Sequence, residues 1–197
     1  MAHEYLAGFE IPLIEYPDRY KTTVFGSIAS STVTMELYGE LVRRMFDFHG
    51  LQDPNDSSPG APFLAVKLLR CYLSKTPTMT REKLDLVGYT ALLLASKYLE
   101  VFPLEISKLL VETTQYYTLD EFVLFEKELF GVVGEFLHAK TSFGYLQGRL
   151  NALGLQRTGP FSSKVYGLRL ASLESKPIAW KVTSSALVDH MFKMYGR

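Results

Sequence analysis

The stretch Leu84-Asp85-Leu86-Val87-Gly88-Tyr89-Thr90-Ala91-Leu92-Leu93-Leu94-Ala95-Ser96-Lys97-Tyr98 decides the fold. Beyond Asp85 it carries apolar or small residues on every face for about three turns, and a helix apolar all round sits inside a protein with other helices about it. Gly88, Ala91 and Ala95 fall at i, i+3 and i+7, a flat stripe that lets a neighbouring helix approach. Glycine costs about 1 kcal/mol relative to alanine in a helix interior, so Gly88 predicts close packing worth that loss. Lys97 ends the run. Taken alone it reads as a cation favoured by the helix C-terminal dipole, or as a side chain snorkelling to water.

Working outward, helix follows helix. Thr34 precedes a helix over about Met35 to Phe48, with Leu37, Leu41, Met45 and Phe48 at helical spacing. The run from Asp53 to Gly60 is a loop, followed by a Leu-rich helix over Ala61–Ser74. Thr80 is the expected cap of the central helix, which runs through Leu99. Pro103 starts a fourth helix over roughly Leu104–Thr114. Thr118 and Glu121 form a capping box, in which each side chain bonds the other residue's backbone N–H. It opens a fifth helix from Leu119 to about Phe136. After Lys140 three further helices are expected, over Thr141–Leu153, Ser162–Leu173 and Trp180–Tyr195. Short links between helices of this length predict an all-α bundle. Residues 1–31, with Pro12, Pro17 and a small-residue run at Gly26–Ser31, read as an arm.

Composition narrows the function. The 21 Lys+Arg balance 21 Asp+Glu, so no excess positive charge draws the chain onto nucleic acid. The one cysteine, Cys71, allows no intrachain disulfide and no cysteine-rich zinc site, and fits a reducing compartment, cytosol or nucleus. No signal-peptide pattern opens the sequence, and no apolar run approaches the ~20 residues that cross a bilayer. The four histidines, His3, His49, His138 and His190, sit in no recognisable metal or triad motif. No HExxH, GxSxG or glycine-rich phosphate loop occurs, and Asp85 and Glu105 read as surface or capping carboxylates. No enzyme activity, cofactor or metal is expected.

The letters from Leu84 to Glu100 resemble the LxxxGxxALLLASKYxE signature of the cyclin box. Upstream, Phe63 to Ser74 resembles the family's LAVxxxDRFLS helix, with Leu69 in place of Asp. Downstream, Tyr117-Thr118 and Phe125-Glu126-Lys127-Glu128-Leu129 resemble its YT…MExxIL segment. The resemblance covers residues 35 to 137. It implies a five-helix cyclin box over 32–140 with the third helix buried at its centre. A shortened second cyclin-like unit of about three helices then occupies 141–197.

The same resemblance implies a function. In cyclins a Lys ending the third helix and a Glu in the fifth come together and bind a protein kinase near its mobile αC helix. The matching residues are Lys97 and Glu126, at the family's separation of 29 positions. Each alone reads as a solvated charge. Tyr98, Glu100, Phe130, Phe136 and Leu137 are the expected further kinase contacts. Where the family often has an aromatic residue the chain has Glu135, with Phe136 beside it as a substitute. The MRAIL-type docking segment of the first helix corresponds to about Thr34–Leu41; it lacks the Arg and has Leu41 near the Trp position, so docking of that kind is not expected. The implied role is a regulatory subunit that forms a heterodimer with a cyclin-dependent protein kinase and activates it. Cell-cycle control, in nucleus or cytoplasm, is the expected setting, with no membrane and no direct nucleic-acid partner. The alternatives are a transcription-type cyclin acting with a polymerase-tail kinase, and a cyclin-fold initiation factor on DNA. The DNA reading needs a basic face that the charge balance does not supply.

Overall fold

A computed structural model describes residues 33–50, 58–76, 78–113, 116–152, 154, 163–176 and 184–195. The expected arm over 1–31, most of the loop after the first helix, and the start of the expected last helix lie outside the described residues. The described residues form eight α-helices and no strand. In order these are α1 (Met35–Gly50), α2 (Ala61–Lys75), α3 (Arg81–Leu99), α4 (Ile106–Glu112), α5 (Leu119–Val133), α6 (Ser142–Ala152), α7 (Ser163–Glu174) and α8 (Ser184–Tyr195). A 3₁₀ turn, Gly134–Phe136, follows α5. Among the described residues no helix is long and apolar enough to cross a membrane.

The central helix is as the sequence requires. Leu84 and every residue from Leu86 to Ser96 are buried, with α1, α2 and α5 packed around them. Asp85, just before the enclosed run, turns outward and takes a two-pronged bond from Arg44 of α1, at 3.0 and 2.6 Å. A Cβ on Gly88 would lie 2.6 Å from a methyl of Leu41, so the missing side chain is what lets α1 close on α3. The first core is built on this helix with Tyr38, Leu41, Met45, Leu68, Leu92, Phe122 and Leu129. Each such side chain contributes about 1.5–3 kcal/mol by leaving water.

Helix ends show where local chemistry overrides periodicity. Thr80 stands at the N-cap of α3, but its side chain makes no cap bond. Helix α4 starts at Ile106 rather than Leu104, with Glu105 in extended backbone at the N-cap position and the Leu104 N–H bonded to Ser96 Oγ, 2.7 Å away. The capping box at α5 is complete: the Glu121 N–H donates to Thr118 Oγ1 at 3.2 Å, and the Thr118 N–H donates to Glu121 Oε2 at 2.7 Å. That backbone bond holds the Glu121 carboxyl below its ordinary range. Helix α5 ends at Val133, where the last turn tightens to 3₁₀.

Helices α6, α7 and α8 pack on one another around Phe143, Leu146, Leu150, Leu170, Leu187 and Met191. Phe63 of α2 joins this second cluster, stacked on Phe143 at 5.0 Å and meeting Phe46 edge-on at 4.8 Å. Polar groups reinforce the junction. Lys67 Nζ donates to the Lys140 carbonyl at 2.8 Å, and burial pushes its ammonium pKa down. Arg70 donates to Glu174 Oε2 at 3.1 Å, and the Ser142 hydroxyl donates to the other oxygen of the same buried carboxylate.

Candidate partner-binding face

Two helices present the expected pair. Lys97 lies in the last turn of α3 and Glu126 in the second turn of α5. Lys97 Nζ donates to both oxygens of Glu126, at 2.7 and 2.8 Å. The pair sits at the surface, with side-chain exposures of 43% and 19%. An ion pair this open contributes only about 0–1 kcal/mol to the fold. Its value lies elsewhere: charged donors and acceptors, already aimed, stand where another molecule can reach them.

Apolar groups frame it. Tyr98 follows Lys97 and is 50% exposed; Phe130, one turn along α5 from Glu126, is 54% exposed. Leu99, Val101 and Phe102 are exposed as well. The sequence reading did not single them out. A signal was available: Tyr98–Phe102 holds four apolar letters in five and runs past the helix end towards Pro103, so no helix face could bury them. Aromatic and aliphatic anchors around a few charges are the usual composition of an interface core.

Phe136 and Leu137 are only half-buried and pack against the first core. Lys75 reaches across from α2, donating to the Val132 carbonyl at 3.0 Å and to Glu135 at 2.8 Å, with its ammonium 4.8 Å from the Phe136 ring centre. Nearby, the Tyr72 hydroxyl donates to Glu128 at 2.7 Å. Burial and that carboxylate push the Tyr72 hydroxyl pKa up to about 12. These contacts hold α5 in register on α2 and so fix the height of Glu126 and Phe130.

Glu100 departs from expectation. Its side chain is 1% exposed and points inward, where His49, Ser58 and Ser96 bond it. A carboxylate committed to three internal donors does not meet a partner. Of the other expected contacts, Lys97 and Glu126 meet, Tyr98 and Phe130 are exposed next to them on the same helices, and Phe136 and Leu137 pack against the first core, Phe136 beside Lys75. Among the described residues no group of three or more His, Cys, Asp or Glu side chains is placed to hold a metal ion.

Comparison with known proteins bears on this geometry. Residues 54–134, which contain the pair and the buried helix, match the family model for the cyclin N-terminal domain. Over this stretch the chain is similar to the cyclin family. It is 33% identical over 99 residues to cyclin-B1-3 of Arabidopsis thaliana, covering 50% of this chain and 24% of that protein. It is 34% identical over 116 residues to cyclin-A1 of Homo sapiens, covering 58% and 24%. With the G2/mitotic-specific cyclin-B of Arbacia punctulata the identity is 32% over 117 residues, covering 58% and 25%. The matched stretch thus spans about a quarter of these relatives' length. Among solved structures, a viral cyclin from herpesvirus saimiri superposes with a TM-score of 0.68. The match covers 85% of this chain and 74% of that one at 18% identity, a likeness of fold.

Proposed function

We propose that the chain is a regulatory, non-catalytic subunit that binds a cyclin-dependent protein kinase and activates it by holding the kinase αC helix in its active position, in cell-cycle control. The observation that carries this reading is the exposed Lys97–Glu126 pair with Tyr98 and Phe130 beside it. A kinase needs its β3 Lys–αC Glu ion pair and its metal-binding Asp in place before it transfers phosphate. A subunit that binds only the αC-in state shifts the population towards it. Lys97 and Glu126 would bond kinase backbone groups and set register, while the apolar residues supply most of the affinity. The A- and B-type names of the relatives support a cell-cycle role over work with a polymerase-tail kinase. The same reading implies action in the nucleus or cytoplasm.

Two further observations support it. Arg44, Arg70, Lys75, Lys97 and Arg149 are each paired with a carboxylate, which leaves them poor phosphate ligands for nucleic acid. On α1 the exposed residues include Glu36, Glu40, Arg43, Arg44 and Asp47, while Leu41 is fully buried against α3. That surface is polar and offers no apolar substrate-docking patch.

Co-purification from the native source, with identification of the bound kinase, tests the partner. The double change Lys97→Ala plus Glu126→Ala tests the mechanism. It removes a surface pair, so the fold should lose no more than about 1 kcal/mol. Kinase binding should weaken by about 30-fold or more, the equivalent of roughly 2 kcal/mol. A folded double variant that still binds and activates the kinase would show the mechanism to be wrong.

A further inference from the structure

The buried Glu100 sits in the middle of the segment that carries the partner contacts, and its bonds reach four separate parts of the fold. Its own N–H closes α3 on the Ser96 carbonyl at 2.8 Å, which makes it the helix C-cap. Its Oε1 accepts from His49 Nε2 at 2.8 Å and from the Ser58 N–H at 2.8 Å. A carboxylate has no proton to give, so His49 must be the donor. Its Oε2 accepts from the Ser96 hydroxyl, and Ser96 Oγ in turn accepts the Leu104 N–H at 2.7 Å. One side chain therefore joins the end of α1 (His49), the turn before α2 (Ser58), the last buried position of α3 (Ser96) and, through Ser96, the strand of chain entering α4 (Leu104).

What lies between the two ends of this hub matters most. Ser96 and Leu104 bracket residues 97–103, and within that bracket Lys97, Tyr98, Leu99, Val101 and Phe102 are all exposed. The segment has few inward contacts of its own, so its course is set by the points where it is pinned. Three donors converge on the carboxylate, and with its side chain 1% exposed no partner reaches it. We propose that Glu100 is a positioning residue for the kinase-binding segment: it fixes the path of residues 97–103 so that Lys97 and Tyr98 meet the partner in one geometry. This rests on the kinase-binding reading above and replaces direct contact as the role of Glu100.

The test uses the full chain and the kinase that co-purifies with it. Glu100→Gln keeps the size but turns one acceptor oxygen into a donor facing a donor. Hydrogen exchange without kinase should show faster exchange for amides in 97–104, with the amides of Leu86–Leu94 as protected as before. Kinase binding should weaken about tenfold or more. In a Lys97→Ala background the same substitution should cost little further affinity, because the two act through one contact, while its effect on exchange persists. Ser96→Ala, which cuts only the links to Glu100 and Leu104, should act in the same direction more weakly and serves if Glu100→Gln does not fold. Unchanged kinase binding by a folded Glu100→Gln protein, or losses that simply multiply with those of Lys97→Ala, would overturn the positioning role and leave the kinase reading standing. A wild-type chain that binds no kinase would remove both.

Discussion

Replacing Gly39 by alanine sets two known effects against each other. In an isolated helix the change gains about 1 kcal/mol of propensity. In this protein a Cβ at position 39 would lie 2.5 Å from the backbone carbonyl oxygen of Ser175, just past the end of α7. Ordinary contact starts at 3.4 Å, so α1 and α7 must part by about 0.9 Å. No rotamer change relieves the clash, because the obstacle is backbone. Moving Ser175 also drags Glu174, whose carboxylate bonds both Arg70 and Ser142. Overpacking costs about 1–3 kcal/mol, and a strained hydrogen bond to a charged group adds up to a similar amount. The net expectation is destabilisation by about 2 kcal/mol, or a fall in Tm of roughly 4–8 °C for a chain of this size. Thermal and urea unfolding read it directly. Gly88→Ala is the control: the atoms nearest its Cβ belong to the Leu41 side chain rather than to backbone, and it should cost less. A Gly39→Ala protein more stable by about 1 kcal/mol would follow propensity alone; the close approach of α1 and α7 would then be refuted.

Two other outcomes follow from buried groups. Glu174→Ala removes the carboxylate that Arg70 and Ser142 share and should cost about 3–5 kcal/mol in denaturant unfolding, with Glu174→Gln milder; a loss under about 1 kcal/mol would mean the junction does not depend on it. Alkaline pH should also unfold the protein. Burial raises the hydroxyl pKa values of Tyr38, Tyr72, Tyr89 and Tyr117, that of Tyr72 to about 12. A raised folded-state pKa means the native protein holds its proton where the unfolded chain has lost it, so stability is full below about pH 10 and falls as pH rises beyond it. Unfolding followed by tyrosinate absorbance should show this, and Tyr72→Phe should flatten part of the slope. Stability that stays flat to pH 12 would contradict the burial of these hydroxyls.

The sequence made the centre of the fold legible because α3 carries no charged letter for three turns from Leu86, which suits an enclosed helix. The Thr118–Glu121 box was equally readable, since it depends on near neighbours, while Gly88 announced a close approach without naming Leu41, 47 positions away, as its partner. Lys97 and Glu126 were different. Either one alone is an ordinary surface charge, and only a resemblance spanning both could join positions 29 apart. Glu100 shows the opposite failure. The resemblance made it a kinase contact, and its partners His49 and Ser58 lie far off in sequence on elements that packing alone brings together. Phe63 belongs to a helix that feeds both cores, and its apolar letter does not say which side it takes.

Enclosure of α3 from Leu86 to Ser96 leaves the C-terminal end of that helix at the surface. Letters inside the enclosure answer to their helical neighbours, and almost any change there is paid in folding. On the kinase-binding reading, letters from Lys97 to Pro103 other than Glu100 answer to whatever binds. A library confined to these, with Glu100 held, would sample partner choice while leaving the core untouched. Divergence between copies of such a gene has the same room, with specificity free to drift at the tip of a helix whose body stays fixed.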